Sequence, residues 1–188
     1  MKETIKNIVY GALDAVTAER GVARRIGGET VRFPARYSRY YEATYEPELF
    51  KFLRRRLRAG DVFFDCGAHI GLFTVVASRL VGADGRVFSF EPTPATREVL
   101  EKVVALNDCR NVEVRPEAVS RTTGTAVFFD TGGECSNANS LVKLNRHQDG
   151  GLTVPTVSID EFARSRKLEI NCIKIDVEGA EFDLLVGS

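Results

Sequence analysis

Asp61-Val-Phe-Phe-Asp-Cys-Gly-Ala-His-Ile-Gly71 runs from an apolar strand through a glycine turn into a helix. Val62, Phe63 and Phe64 read as a strand covered on both faces, and Phe73, Val76, Ala77 and Leu80 recur at helical spacing just beyond it. Gly67 and Gly71 stand where a strand-to-helix turn needs backbone without a Cβ, which would let a ligand approach closely. A nucleotide-like ligand is expected at this turn; a tight turn with no ligand is the plainer alternative.

The spacing of the glycines narrows the ligand. A dinucleotide fingerprint wants G-x-G-x-x-G to cradle a pyrophosphate. With Gly67 in the middle place, the first place is Asp65 and the last is Ile70. A carboxylate at Asp65 would repel a pyrophosphate but suits an ammonium group and ribose hydroxyls, which S-adenosylmethionine (SAM) carries. The pattern Asp65-x-Gly67-x-x-x-Gly71 resembles motif I of the class I methyltransferases.

The 188 residues fit one domain, and 44% apolar content is enough for a sizeable core. The 26 basic and 26 acidic side chains cancel, so the chain as a whole has no strong pull toward nucleic acid or membrane. Locally, Arg20 to Arg58 holds 11 Lys or Arg against 4 Glu, either a solvated face or a surface for an acidic ligand. Cys66, Cys109, Cys135 and Cys172 show no C-x-x-C pairs and no scaffold spacing, so reduced thiols are expected. With His69 and His147 the only imidazoles, no Cys/His metal site is expected. No stretch has the apolar core of a signal peptide or the length of a membrane span, and a cytoplasmic protein is expected.

Ile5, Ile8, Val9, Leu13 and Val16 predict an amphipathic helix over the first 20 residues, before a break at Gly27-Gly28. Residues 29–33 and 35–41 read as a hairpin rich in tyrosine; Tyr37, Tyr40, Tyr41 and Tyr45 either line a substrate entrance or pack amphipathically. Pro47 opens a helix with Leu49, Phe50, Leu53 and Leu57 inward and Arg54, Arg55 and Arg56 in its last turns. Residues 85–90 form a second strand ending in Glu91, 20 residues beyond Gly71, where a carboxylate can accept both ribose hydroxyls. Thr93 and Pro94 start the next helix, residues 112–115 the third strand, and Glu117 with the backbone of Ala118 would reach the adenine side. A further strand covers 125–129, and 131–151 is a polar loop, either a lid or a surface excursion. Ser158 and Glu161 form a capping box for a short helix, and the strand 172–175 delivers Asp176 to its carboxyl end beside the first strand. The alternation implies an α/β fold with a parallel sheet.

Three motifs together, Asp65-Cys-Gly-Ala-His-Ile-Gly71 with Phe73-Thr74, then Phe90-Glu91-Pro92, then Lys174-Ile-Asp-Val-Glu-Gly-Ala-Glu181, resemble the FkbM-type SAM-dependent methyltransferases. The resemblance spans roughly residues 46 to 186, leaving 1–45 as an N-terminal helix and hairpin extension and 46–188 as the SAM-binding domain. It implies a Rossmann-like class I methyltransferase fold, SAM as donor, and O-methylation of a hydroxyl on a sugar or small secondary metabolite. It also implies SAM contacts from Asp65, Gly67, Ala68, Gly71 and Glu91, with active-site roles for Asp176 and Glu178. Such a fold carries about three more strands after this point, so the chain is expected to be truncated after the fourth core strand; otherwise a second copy covers the open edge.

Methyl transfer to a hydroxyl needs the acceptor oxygen held in line and its proton taken by a base. Asp176, Glu178 and His69 are the groups able to reach it, with Asp176 preferred; no third oxygen ligand accompanies Asp176 and Glu178 to hold a metal. The competing readings are an RNA methyltransferase, drawn from the basic Arg20 to Arg58 segment, and a non-catalytic SAM-binding scaffold. An NAD enzyme is disfavoured by the failed glycine pattern.

Overall fold

The computed structural model describes residues 20–129 and 151–177. Strands β1 (Val22–Ile26) and β2 (Glu29–Phe33) pair antiparallel with Ile26 opposite Glu29. Gly27 and Gly28 are therefore the two-residue loop, and their φ angles of 54° and 90° suit a turn whose twist matches the flanking strands. This corrects the expected hairpin, which ran from 29–33 into 35–41. Pro34 has no N–H to continue a ladder, and Ala35–Tyr37 is a single 3-10 turn. The turn lies so close to helix α1 (Pro47–Arg56) that a Cβ on Gly27 would fall 2.3 Å from the Phe50 ring. Pro47 opens α1, Phe50 and Leu53 are buried, and Arg54, Arg55 and Arg56 crowd its last turn, as its sequence predicts. Much of the basic excess here is tied down: Arg32, Arg54, Arg56 and Arg58 each donate to a backbone carbonyl, of Arg20, Gly27, Asn171 and Leu57 respectively.

The central unit alternates β3 (Val62–Cys66), α2 (Leu72–Val81), β4 (Arg86–Phe90), α3 (Pro94–Leu106) and β5 (Val112–Arg115). Then follow β6 (Ala118–Val119), β7 (Gly124–Phe129), β8 (Gly151–Val157), α4 (Ile159–Arg166) and β9 (Cys172–Ile175). The main sheet has the order β5-β4-β3-β9 with every pairing parallel, the arrangement of a Rossmann-like α/β fold. Strands β6, β8 and β7 form a smaller sheet in which β7 and β8 are antiparallel. The strand β8 has no counterpart in the sequence reading, and the expected loop 131–151 lies, but for Gly151, outside the described residues. Among the described residues, no helix is long and apolar enough to cross a membrane.

Alternation along the strands gives the sheet two apolar faces. Phe63, Val87 and Cys172 join α1, α2, α3 and the β1–β2 hairpin on one side. Phe64, Cys66, Phe88 and Phe90 face α4 on the other. The Ser158 hydroxyl caps α4 by accepting the N–H of Glu161, as the capping box predicts. Phe162 then seats its ring edge-on among Phe64, Phe88 and Phe90, at centroid distances of 5.6, 5.2 and 5.3 Å.

A polar row crosses the α2 side of the sheet. Lys174, Asp65 and Ser89 are register partners on β9, β3 and β4. Asp65 is 0% exposed. Its Oδ2 accepts the Thr74 hydroxyl at 2.6 Å, and Thr74 and Ser89 hydroxyls meet at 2.9 Å. Because Thr74 has one proton and spends it on the carboxylate, Ser89 must be the donor to Thr74. Lys174 Nζ lies 3.2 Å from Asp65 Oδ1, an ion pair whose alignment falls short of a hydrogen bond. Burial lowers the Lys174 pKa, but Asp65 and Asp176 outweigh it and hold the ammonium above its ordinary value.

Two stability predictions follow from these contacts. Phe162→Ala should cost about 3–5 kcal/mol in urea unfolding; a loss below about 1 kcal/mol would mean that α4 is held by something other than this ring. Lys174→Met leaves a buried charge without its partner and should cost about 3–5 kcal/mol, whereas the double variant Asp65→Asn/Lys174→Met should lose less than the single one. Additive losses would contradict the pairing. Since the folded pKa of Lys174 is raised, its contribution is complete below the ordinary lysine value of about 10.4 and disappears only as pH rises through the raised value.

Candidate active site

At the end of β3 the chain turns through Gly67, Ala68, His69 and Gly71, with φ of 74°, 51° and 89° at Gly67, His69 and Gly71. The reason for the glycines differs from the one their spacing suggests. A Cβ on Gly67 would stand 2.0 Å from the carbonyl oxygen of Asp176, and one on Gly71 would stand 2.5 Å from Leu100 on α3. Both positions are bare so that two protein segments can close on each other, not to admit a ligand at those atoms.

The N–H groups of this turn also point inward. Gly67 and Ala68 both donate to the Phe90 carbonyl, at 3.1 and 3.0 Å, and Gly71 donates to that of Ala68 at 2.9 Å. His69 donates its N–H to Glu91 Oε2 at 3.0 Å. A phosphate-binding turn needs such groups free and convergent. Here four of them are committed to β4, to its terminal carboxylate and to the turn itself, which removes the pyrophosphate cradle that a dinucleotide requires.

Glu91 occupies the tip of β4 and is 6% exposed. Its Oε1 accepts the Thr93 N–H at 2.9 Å, opposite the His69 bond on Oε2. Its own N–H is held by the Arg115 carbonyl, so the ends of β4 and β5 are fixed together. Burial raises its pKa, while the hydrogen bonds from Thr93 and His69 and the charge of Arg97 work against that rise. The Thr93 hydroxyl donates to the same carboxylate, so of the roughly four lone-pair sites of an ionised carboxylate one remains for a further donor.

Lys174 links the turn to the end of β9. Besides Asp65, its ammonium reaches the Gly67 carbonyl at 3.1 Å and Asp176 Oδ2 at 3.5 Å. The Asp176 N–H donates to the Cys66 carbonyl at 3.0 Å, and its side chain, 61% exposed, stands beyond the carboxyl end of β9, where open α/β sheets leave a crevice. Asp65, expected to touch the ligand, is instead buried behind the turn with both oxygens facing Thr74 and Lys174, so in this arrangement it shapes the turn from within. Cys66 behaves as the small hydrophobe its strand position suggests; burial drives its thiol pKa up, further from thiolate.

His69 faces the tyrosines that precede α1. Its Nδ1 and the Tyr41 hydroxyl are 3.2 Å apart, with the donor set by the imidazole tautomer, and its ring lies 4.8 Å from that of Tyr40. Burial, the phenols of Tyr45 and Tyr40, and the charges of Asp65 and Asp176 push the Tyr41 pKa well above its ordinary value, so the phenol is neutral. The structure therefore brings Asp65, Gly67, Ala68, His69, Gly71, Glu91 and Asp176 to one place. Glu117 is paired with both Arg115 Nε and Nη2, and Ala118 is buried in β6 opposite Thr156. Glu178 lies outside the described residues. The sequence reading did not single out Lys174 or the Tyr41–His69 contact; the register of β9 against β3 was the available signal for the first.

Residues 65–188, well over half of the chain, match the Methyltransferase FkbM domain family. The chain is 28% identical over 145 residues to the hexuronic acid methyltransferase AglP of Haloferax volcanii, an alignment covering 76% of this chain and 56% of that protein. It is 30% identical over 162 residues to the AMB antimetabolite synthetase AmbE of Pseudomonas aeruginosa, covering 67% of this chain and 8% of that one. The chain thus spans little more than half of the first relative and a small part of the second. Among solved structures, the methyltransferase FkbM from Methylobacillus flagellatus KT aligns with a TM-score of 0.45 at 16% identity, over 75% of this chain and 36% of that one. From the match over residues 65–188, which takes in the turn, Glu91 and the β9 motif, the chain belongs to the FkbM methyltransferase family.

Proposed function

We propose that the protein is a SAM-dependent methyltransferase acting on a hydroxyl of a sugar or small secondary metabolite, with residues 46–188 forming the SAM-binding unit. The observation that carries this is the exchange of phosphate-binding N–H groups for a buried carboxylate beside the turn: Gly67, Ala68 and His69 turn their N–H groups to β4 and the residue that follows it, and Glu91 keeps one acceptor position beyond its three protein donors. A carboxylate acceptor suits a ribose hydroxyl, and nothing in the turn invites a diphosphate. The FkbM family membership points the same way, as does the hexuronic acid named for the archaeal relative.

In this reading Glu91 holds the ribose, and the turn 67–71 carries the remainder of the cofactor against β3. Bound SAM supplies an electrophilic methyl group on a sulfonium. Asp65 acts through Lys174, which fixes the Gly67 carbonyl and keeps Asp176 at the crevice mouth. Asp176 takes the proton from the acceptor hydroxyl, making its oxygen the nucleophile. His69, oriented by Tyr41, stands on the same rim as a second proton acceptor. Glu178 and Glu117 are further proposed contacts, to the acceptor and adenine respectively.

Calorimetry with S-adenosylhomocysteine tests the cofactor site. Glu91→Ala removes a charge-assisted hydrogen bond to the ribose, worth about 1.5–3 kcal/mol, so its affinity should fall about tenfold or more. Ribose binding needs the ionised carboxylate, and the Glu91 pKa is raised; affinity should therefore decline as pH falls, beginning above the ordinary glutamate value of about 4.3. Equal binding by wild type and variant, or affinity unchanged as pH falls to about 4.3, would contradict the assignment.

A further inference from the structure

The segment before α1 contributes an aromatic strip to the crevice mouth. Tyr40 and Tyr41 rings are 5.0 Å apart, Tyr41 and Tyr45 are 4.8 Å apart, and Tyr45 lies 6.2 Å from Phe73 at the start of α2. His69 continues the strip from the cofactor turn, 4.8 Å from Tyr40. Phe73, at the end of the strip, lies 6.0 Å from the Lys174 ammonium that pairs with Asp176, which brings the proposed base near the same surface. Tyr40 is 41% exposed, while Tyr41 is buried beneath it. Two residues bordering the strip, Glu46 and His69, hold left-handed backbone at φ of 37° and 51°. Such strain in residues other than glycine persists only where the surroundings enforce it, and it clusters at ligand-binding positions.

We infer that Tyr40, Tyr45 and His69 form the acceptor wall of the methyltransferase site, and that the acceptor is a pyranose ring whose C–H face stacks on it. A saturated, hydroxylated ring has an apolar face of axial C–H bonds and a rim of hydroxyls. Aromatic faces carry partial negative charge and attract the polarised C–H groups, while phenol and imidazole groups can hydrogen-bond the rim. This deepens the methyltransferase reading and rests on it.

The full chain saturated with S-adenosylhomocysteine is titrated with methyl α-D-glucopyranoside, with sorbitol and 4-nitrophenol as an acyclic polyol and a flat aromatic. Saturation-transfer NMR identifies the ligand protons in contact. The chain has no Trp and 5 Tyr, so the long-wavelength end of the near-UV circular dichroism reads the tyrosines free of indole bands. The pyranoside should show saturation on C–H protons of one ring face, perturb the tyrosine signal, and bind more tightly than either comparison compound. Tyr40→Ala should weaken it about 3- to 10-fold with S-adenosylhomocysteine affinity unchanged, and Tyr40→Phe should keep it. Equal pyranoside binding by Tyr40→Ala, equal binding of sorbitol, tighter binding of 4-nitrophenol, or no pyranoside binding by the loaded chain overturns the wall alone. Failure of S-adenosylhomocysteine to bind overturns the underlying reading, and the wall with it.

Discussion

The contact between Asp65 and Lys174 holds the crevice together. It joins β3 to β9 inside the sheet, and the same ammonium grips the carbonyl of the turn and the side chain at the crevice mouth. Removing either charged group would leave the other buried, which is far costlier than losing a surface ion pair. The Ser89 and Thr74 hydroxyls extend the constraint into β4 and α2, so four elements meet at one carboxylate. The turn consequently starts from a fixed platform.

From that platform, backbone accounting decides what kind of ligand the crevice suits. Each buried N–H must find an acceptor. Those of Gly67 and Ala68 find Phe90, and that of His69 finds Glu91. Donors are thereby consumed, and the group left beside the turn is a carboxylate, the reverse of a phosphate site. The same bond to Glu91 fixes the backbone of His69, and with it the imidazole that meets the tyrosines of the N-terminal segment. Cofactor turn and acceptor rim are thus two sides of one residue.

Much of this architecture is legible in the chain. The apolar run at 62–64, the helix that Pro47 opens, the Ser158 capping box and the strand before Asp176 all declare themselves through local pattern. The hairpin was misplaced because a Gly-Gly pair reads equally as a break and as a two-residue turn, and only the pairing of Ile26 with Glu29 distinguishes them. Strand β8 escaped because Pro155 interrupts it, although Pro155 is accommodated opposite Thr125. For the site, residue types pointed correctly to the turn and to Glu91 as neighbours, but not to which way a carboxylate faces. Asp65 and Glu91 both end or follow apolar strands; one lies under the turn and the other beside it. That difference is set by strand register and by Lys174, 109 residues further along the chain than Asp65.

A crystal structure of the chain with S-adenosylhomocysteine is the most direct measurement. A ribose hydroxyl is expected on the Glu91 carboxylate, with Asp65 still buried against Thr74 and Lys174. A ribose bound away from Glu91, or an Asp65 carboxylate turned outward onto the ligand, would contradict it.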